Sequence, residues 1–180
     1  MAKVCIVFNP FNIDSVIGAL CVNLMVEELY LEETVSMTFE ECFRNVSDVD
    51  VSHETFDETY VVGVSLTAQD LKKLTWTSNT ARVFSYNGAE IYDFLPQNAQ
   101  QTPVKDSRNV EDTLNNSMAS VVIADEWFSD VRHVVTGNQK LMAIVEAGYK
   151  YWNLIPMSST ELVNLFTNFT AITDYLYSES

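Results

Sequence analysis

Residues 3–20 read KVCIVFNPFNIDSVIGAL, and this stretch decides the fold. Its first part, residues 3–8, is an almost continuous apolar run that ends at Asn9. Such a run is typical of a strand buried on both faces, as in a parallel sheet. From residue 15 onward, apolar side chains recur with a helical period, and Asp14 or Ser15 is placed to cap the N terminus of that helix. The stretch therefore predicts a strand, a turn and a helix.

The rest of the chain continues to alternate between strand and helix patterns. This alternation predicts the α/β class, with a mostly parallel sheet that carries helices on both faces. The length suits one core and no internal repeat is present, so a single domain over residues 1–180 without an accessory domain is expected. A polar stretch without period, residues 96–109, is predicted to be a surface loop. The other predicted elements are strands at 60–66 and 82–86 and helices at 67–76, 110–128, 138–152 and 158–172.

The composition is that of a folded protein, because 47% of the residues are hydrophobic and 12% are aromatic. Cys5, Cys21 and Cys42 lie in or beside apolar segments, without the spacing of a disulfide framework or a zinc site. We expect them to be small buried residues in a reducing compartment. The N terminus has no signal-peptide pattern and no apolar stretch long enough to span a membrane. A soluble, cytoplasmic protein without membrane contact is expected.

The formal net charge is −15, which disfavours direct binding of duplex nucleic acid, since that binding needs Lys and Arg to release counterions. Most of the negative charge lies between residues 27 and 58, where Arg44 is the one basic residue. This acidic segment has two interpretations. The favoured one is a solvated face, and the other is a surface that engages a basic or nucleic-acid-binding protein by imitating a phosphate backbone. Its acidic residues are Glu27, Glu28, Glu32, Glu33, Glu40, Glu41, Asp48, Asp50, Glu54, Asp57 and Glu58.

Residues 9–20, with the sequence NPFNIDSVIGAL, resemble the opening signature of the DHH phosphoesterase superfamily, roughly N-P-D-x-D-(A/S)-(I/V)-G-S-A-L. Later segments resemble further parts of the family in the same order. Residues 61–66 and 70–74 look like its second motif, and residues 83–87 lie where the family has its Asp-His-His triplet. Residues 117–128 and 141–152 look like the helices that follow. The resemblance spans almost the whole chain and implies a DHH-like fold.

The resemblance also implies that most metal ligands of the family are missing. Gly63 stands where the family has the Asp of its second motif, Ser-Tyr-Asn at residues 85–87 replaces the triplet, and Lys150 replaces the Asp of the last helix. Only Asp14 remains. Hydrolysis of this type needs two divalent metals held by several carboxylates and imidazoles. No metal, no cofactor and no catalytic residue is therefore expected.

Other residues offer little support for catalysis. Asp14 is either a remnant metal ligand or a helix cap, and the cap is the favoured interpretation. His53 and His133 are interpreted as surface residues. Ser65 lacks the flanking glycines of a nucleophile elbow, and Asn87 with the glycine after it is interpreted as a turn.

The predicted function is that of a non-catalytic, DHH-like protein that binds a partner, either a protein or a nucleotide. An acidic inhibitor that imitates nucleic acid, of a kind frequent in phages, is the first alternative. A divergent metal-dependent phosphoesterase is the second, and the oligomeric state stays open. The predicted cleft lies at the carboxyl ends of the strands, where α/β proteins bind their ligands. Its residues are Asn9, Asn12, Asp14, Ser65, Ser85, Tyr86, Asn87 and Lys150.

Overall fold

A computed structural model describes residues 2–30, 35–41, 56–64, 74, 78–86, 88–93, 103–105 and 117–178. Among the described residues, all the strands and one helix lie before residue 106, and the residues from 118 onward are mainly helical. The strands are β1 (Ala2–Phe8), β2 (Val35–Glu41), β3 (Phe56–Val62), β4 (Ser78–Ser85), β5 (Gly88–Asp93) and β6 (Pro103–Lys105). The helices are α1 (Ile13–Leu29), α2 (Met118–Ala124), α3 (His133–Thr136), α4 (Gln139–Trp152) and α5 (Ser159–Ser178), with a 3₁₀ turn at Glu126–Phe128.

The described strands form one open sheet in the order β2-β1-β3-β4-β5-β6. β2, β1, β3 and β4 are parallel, whereas β5 and β6 are antiparallel to their neighbours. The mostly parallel α/β sheet is thus confirmed. β4 and β5 are antiparallel neighbours in which Ser85 pairs with Gly88. The turn predicted at Asn87 stays a prediction, because Asn87 lies outside the described residues.

β1 confirms the strand predicted at residues 3–8, but two later strands differ from their predicted bounds. β3 ends at Val62, because Gly63 has a left-handed backbone with φ of 68° that does not continue a strand. β4 begins at Ser78 rather than at Arg82. Its first residues are polar and gave no apolar pattern, yet they pair with β3 from Phe56 onward.

The surface loop predicted over residues 96–109 is wrong at Pro103–Lys105, which form the edge strand β6. An edge strand needs only one hydrogen-bonded neighbour, and it accepts proline at its first position. Polar composition therefore did not exclude a strand here.

The helix predicted over residues 138–152 is confirmed by α4, and α5 extends to Ser178, beyond the predicted end at residue 172. The helix predicted over 110–128 is described only from residue 117 onward. There it divides into α2 and the 3₁₀ turn, because Asp125 has an extended backbone between them. None of the helices in the described ranges is long and apolar enough to cross a membrane.

The main core lies between one face of the sheet and the helices. Val4, Ile6 and Phe8 of β1 point into it, together with residues of all five helices. α1 is buried continuously from residue 13 to residue 23, because α2, α4 and α5 pack around it. Such a helix is apolar on nearly all sides rather than on one stripe.

The opposite face of the sheet carries a smaller core. It contains Cys5 and Val7 of β1, Val61 of β3, and Leu74, the one described residue of the helix predicted at 67–76. Helical cover of this second face stays a prediction, since the remainder of that segment lies outside the described residues.

Candidate functional site

The predicted cleft lies at the carboxyl ends of β1, β3 and β4. From β1 the chain passes through α1 to β2 on one side, and it later enters β3 on the other side of β1. Such a reversal is a topological switch point, where open α/β sheets form a crevice that binds ligands. The crevice is therefore the first place in the molecule to examine for a site.

Two asparagines shape the loop after β1. The side-chain oxygen of Asn12 accepts hydrogen bonds from the backbone nitrogens of Asp14 at 2.9 Å and Ser15 at 3.4 Å. Asn12 is thus the N-cap of α1, and the prediction that Asp14 or Ser15 caps this helix is wrong. The helix begins at Ile13, two residues before the predicted start, and Ile13 is already part of the buried core. The oxygen of Asn9 accepts from the nitrogen of Phe11 at 2.9 Å, so both amides serve the loop itself.

Ser15 joins β1 to β3 across the switch point. Its buried hydroxyl donates to the carbonyl oxygen of Val62 at 2.7 Å and accepts from the nitrogen of Asn9 at 2.8 Å. A Cβ placed on Gly63 would lie 3.0 Å from Cγ of Met118 and 3.2 Å from Cβ of Ser15. The protein's own side chains therefore fill the floor of the crevice.

Asp14 lies within this packing and is only 1% exposed. Its Oδ2 accepts hydrogen bonds from the hydroxyl of Tyr86 and from the backbone nitrogen of Met118, the latter at 3.0 Å. Met118 is the first residue of α2, so a helix N terminus with its partial positive charge faces the carboxylate. Asp14 thus connects α1, the β4–β5 turn and α2.

The surroundings shift the pKa values of both partners. Burial raises the pKa of Asp14, and the hydrogen bonds from Tyr86 and Met118 offset part of that rise. Burial also raises the pKa of Tyr86, and the hydrogen bond to Asp14 and its negative charge raise it further. Tyr86 therefore stays protonated and remains a hydrogen-bond donor at neutral pH.

An aromatic side chain covers this group from outside. The ring of Tyr86 stacks on the ring of Trp152, with centroids 5.2 Å apart and planes 8° from parallel. Offset stacking of this kind fixes the position of the tyrosine. The hydroxyl of Tyr86 is consequently held against Asp14.

The remaining predicted cleft residues lie elsewhere or outside the described ranges. Nζ of Lys150 pairs with Oε2 of Glu161 at 3.3 Å and so links α4 to α5. The hydroxyl of Ser85 donates to the carbonyl oxygen of Gly88 at 3.4 Å within the hairpin. Ser65 and Asn87 lie outside the described residues. Of the predicted set, the structure brings together Asn9, Asn12, Asp14 and Tyr86.

No group of three His, Cys, Asp or Glu side chains that could hold a metal ion occurs in the described part of the chain. His133 is exposed at the start of α3, and His53 falls outside the described ranges. Asp14 is the one predicted metal-ligand candidate in the crevice, and its visible partners are a hydroxyl and an amide rather than other metal-binding side chains.

The acidic segment is only partly described. Glu27 and Glu28 are half-buried near the end of α1, and Glu40 and Glu41 belong to β2. Exposed Asp57 accepts a hydrogen bond from the backbone nitrogen of Lys3 at 2.8 Å. Glu58 accepts from the hydroxyls of two tyrosines and is partly buried. The other acidic residues, Glu32, Glu33, Asp48, Asp50 and Glu54, lie outside the described residues.

Exposed apolar side chains also lie at the junction of α4 and α5, where no sequence motif predicted a site. We define this α4–α5 apolar surface by Tyr151, Leu154, Ile155, Val163 and Phe166, whose exposed fractions run from 39% to 90%. Tyr151 and Phe166 contact each other edge to face across the two helices at 5.5 Å. The amphipathic pattern of α5 predicts an apolar stripe, but it does not show which apolar residues of the helix, such as Val163 and Phe166, stay exposed.

Leu154 is the most unusual residue of that surface. It is 90% exposed and has a positive φ of 58°. The nitrogens of Leu154 and Ile155 donate back to the carbonyl oxygens of Tyr151 and Lys150, which is the hydrogen-bond pattern of a Schellman motif. Glycine is the usual residue at this left-handed position, so an exposed leucine here is strained without gaining burial.

Comparison of the chain with protein-family models, with curated proteins and with solved structures found no match. The fold defines the class as an α/β domain with an open, mostly parallel sheet, and within the described residues buried Ser15, Met118 and Asp14 pack at its switch point. The family and the function are matters for proposal.

Proposed function

We propose that the chain is a non-catalytic, DHH-like domain that acts by binding another protein. One observation carries this proposal: the carboxylate of Asp14 is buried and already accepts two hydrogen bonds. A metal ion at this oxygen would have to displace both donors and lose hydration, and no cluster of metal-binding side chains lies beside it among the residues that the structure describes. A lone carboxylate binds Mg²⁺ or Mn²⁺ weakly, because these ions need several oxygen ligands.

The DHH-like part of the proposal is supported by the contact between Asp14 and Tyr86. The resemblance implies that the opening motif and the triplet position contribute to one metal site. Asp14 belongs to the first and Tyr86 to the second, and they meet although they are 72 residues apart in sequence. A tyrosine hydroxyl in place of a ligand keeps the two segments joined without a metal.

A phosphoesterase assay tests the absence of catalysis. Wild-type protein and the isosteric variant Asp14→Asn are incubated with Mn²⁺ and with short oligonucleotides, cyclic dinucleotides or bis-p-nitrophenyl phosphate. We expect no turnover above that of Mn²⁺ alone, and no difference between the two proteins. Metal-dependent turnover that Asp14→Asn abolishes would contradict the proposal and support a divergent phosphoesterase.

The α4–α5 apolar surface supports protein binding. Exposed aromatic and aliphatic side chains that cluster on one side of a protein are typical of interaction sites, and aromatic residues supply much of the binding energy at such sites. Leu154 adds a second argument, because backbone strain at an exposed residue is kept where it serves a function. The net charge of −15 favours a basic partner through faster association.

A capture experiment with matched variants tests this binding. Immobilised wild type, Leu154→Asp and Ala171→Asp are each exposed to a lysate of the source organism. Ala171 is exposed on α5 but lies outside the apolar surface, so its variant adds the same charge without changing that surface. We expect a protein that wild type and Ala171→Asp retain and Leu154→Asp loses. Equal capture by all three would contradict binding through this surface.

The acidic inhibitor remains an alternative proposal, supported by the concentration of negative charge between residues 27 and 58. Repeating the capture at low and high salt distinguishes binding through the acidic segment from binding through the α4–α5 apolar surface. A partner held by an acidic, nucleic-acid-like surface dissociates at high salt because the charges are screened. A partner held by the apolar surface stays bound.

A further inference from the structure

A cavity of about 290 Å³ lies between the sheet and the 3₁₀ turn, apart from the switch-point crevice. Its lining includes Glu58 and Tyr60 of β3, Arg82 of β4 and Trp127 of the 3₁₀ turn. Phe84, which continues β4 toward the crevice, stacks with Tyr60 and Phe128 and so separates the two places. The volume is near the lower end, roughly 300 Å³, of the range for small-molecule sites.

Hydrogen bonds hold one wall of the cavity in place. Oε2 of Glu58 accepts from the hydroxyl of Tyr30 at 2.8 Å and from the hydroxyl of Tyr60 at 2.9 Å. Nε1 of Trp127 donates to the oxygen of Tyr60 at 3.0 Å. The acidic group, the phenol and the indole are therefore connected in a fixed arrangement.

Arg82 forms the other wall. Its Nη1 pairs with Oδ2 of Asp125 at 3.3 Å, and its guanidinium carbon lies 4.2 Å from the centre of the Trp127 ring. The ion pair and the cation–π contact together hold the guanidinium in one position.

Hydrogen-bonding capacity remains at both ends of the cavity. Within the described residues, no group donates to Oε1 of Glu58, and no group accepts from Nε or Nη2 of Arg82. Glu58 pairs in register with Thr80, two residues before Arg82, so the two charged groups lie diagonally on neighbouring strands. They form no ion pair with each other in the described structure. The cavity thus offers an acceptor and a set of donors that are held apart.

We propose that this cavity binds a planar, uncharged heterocycle of the nucleobase type. Such a molecule has donors on one edge that suit the free carboxylate oxygen and acceptors on another that suit the guanidinium, and its ring carbons suit the apolar side chain of Ile91 in the lining. Glu58 and Arg82 already have protein partners, so a fully charged ligand would lose hydration without gaining a whole ion pair. The carboxylate of Glu58 in the lining disfavours a phosphate, so a base or nucleoside fits better than a nucleotide.

Thermal unfolding and tryptophan fluorescence of the full chain test this proposal with guanosine, adenosine, cytidine and uridine at about 1 mM each. We expect at least one nucleoside to raise the melting temperature and to quench the tryptophan fluorescence of the chain, with its 5′-monophosphate binding more weakly. Failure of all four nucleosides to do either would overturn the proposal. A shift with free amino acids and none with nucleosides would also overturn it, because the cavity would then bind a zwitterion.

Variants of residues inside and outside the cavity test whether the nucleoside binds there. Glu58→Gln keeps the shape of the side chain and acceptors for the tyrosines, and we expect it to weaken nucleoside binding about tenfold or more. Glu126→Gln makes the same change on an exposed neighbour outside the cavity and should bind like wild type. If Glu58→Gln does not fold, Ile91→Phe serves instead, since Ile91 also lines the cavity and a larger ring fills it. Binding that neither variant weakens would place the ligand elsewhere and contradict the proposal. The proposed protein-binding function does not depend on this outcome.

Discussion

Asp14 is a buried carboxylate at the carboxyl edge of the sheet. It is buried, and its acceptor oxygen is used by Tyr86 and Met118. Buried polar groups that are paired in this way hold elements in register, whereas removal of one partner leaves the other unsatisfied. The contacts of Asp14 therefore hold α1, α2 and Tyr86 together.

Two substitutions of Asp14 measure how much its hydrogen bonds contribute to stability. Asp14→Ala should lower the free energy of unfolding by about 1–3 kcal/mol, because the hydroxyl of Tyr86 and the nitrogen of Met118 lose their acceptor. Asp14→Asn keeps an acceptor and should cost less. Chemical denaturation of the three proteins measures the differences, and equal losses for Ala and Asn would show that the hydrogen bonds contribute nothing.

The pH dependence of the same pair of proteins has a definite sign. The pKa of Asp14 is higher in the folded state than in the unfolded state. The stability that Asp14 contributes is therefore fully present below its pKa in the unfolded state, and it is lost as the pH rises through its pKa in the folded state. Asp14→Asn has no such group. Its stability relative to wild type should therefore be greater at pH 8 than at pH 4. Comparison of the two proteins cancels the other carboxylates, and a difference that does not change with pH would refute the raised pKa.

Leu154 shows the opposite case, a residue that costs stability. Replacement by glycine removes the strain of its positive φ and should raise the free energy of unfolding by up to about 1 kcal/mol. Leu154→Ala also shortens the side chain but keeps the Cβ that causes the strain, so it should bring no gain. A gain in both variants would mean that exposed apolar area, and not backbone strain, is responsible.

At the level of elements, the strand β1 and the helix α1 were predictable from sequence because an unbroken apolar run and a helical period lie within 30 residues. The bounds of β3 and β4 were not, since their polar ends become strands only through pairing with each other. The strand β6 was not predicted either, because its polar segment forms a strand only through pairing with β5. Helix α1 was predicted, but its cap was assigned to Asp14 or Ser15, whereas Asn12 is the residue just before the first helical position.

The site was predictable only in part. The position of Asn9, Asn12 and Asp14 after a buried strand followed from local sequence. The partner of Asp14 at Met118 did not, because it lies 104 residues away and is a backbone nitrogen, which no residue pattern marks. The α4–α5 apolar surface was also missed, since an amphipathic pattern does not reveal which side of a helix another element covers.

The hydroxyl of Ser15 connects the end of β1 to the end of β3, and a substitution tests how much this connection stabilises the sheet. Ser15→Ala should lower the free energy of unfolding by about 1–3 kcal/mol, because the nitrogen of Asn9 and the oxygen of Val62 both lose a buried partner. Ser129→Ala, a change at an exposed serine, serves as control and should change stability by less than about 0.5 kcal/mol. If Ser15→Ala behaves like the control, the crevice is not held closed by this hydroxyl.

At the scale of the whole molecule, the net charge of −15 should oppose folding through repulsion between carboxylates. Raising NaCl from about 20 mM to about 500 mM shortens the screening length from roughly 20 Å to a few ångströms, which weakens this repulsion. The melting temperature should rise by roughly 2–5 °C. The exposed Lys150–Glu161 pair is weakened too, but surface pairs of this kind contribute little. A melting temperature that falls with salt would show that attractive pairs dominate.

A titration with Mn²⁺ followed by electron paramagnetic resonance tests most directly whether Asp14 serves the fold, as we propose, or a metal. Free Mn²⁺ gives a signal that disappears on binding, so the number and strength of sites can be counted in wild type and in Asp14→Asn. We predict identical titrations, with only weak binding to the acidic surface in both. A tight site of one or two ions per chain that is present in wild type and absent in Asp14→Asn would contradict the account.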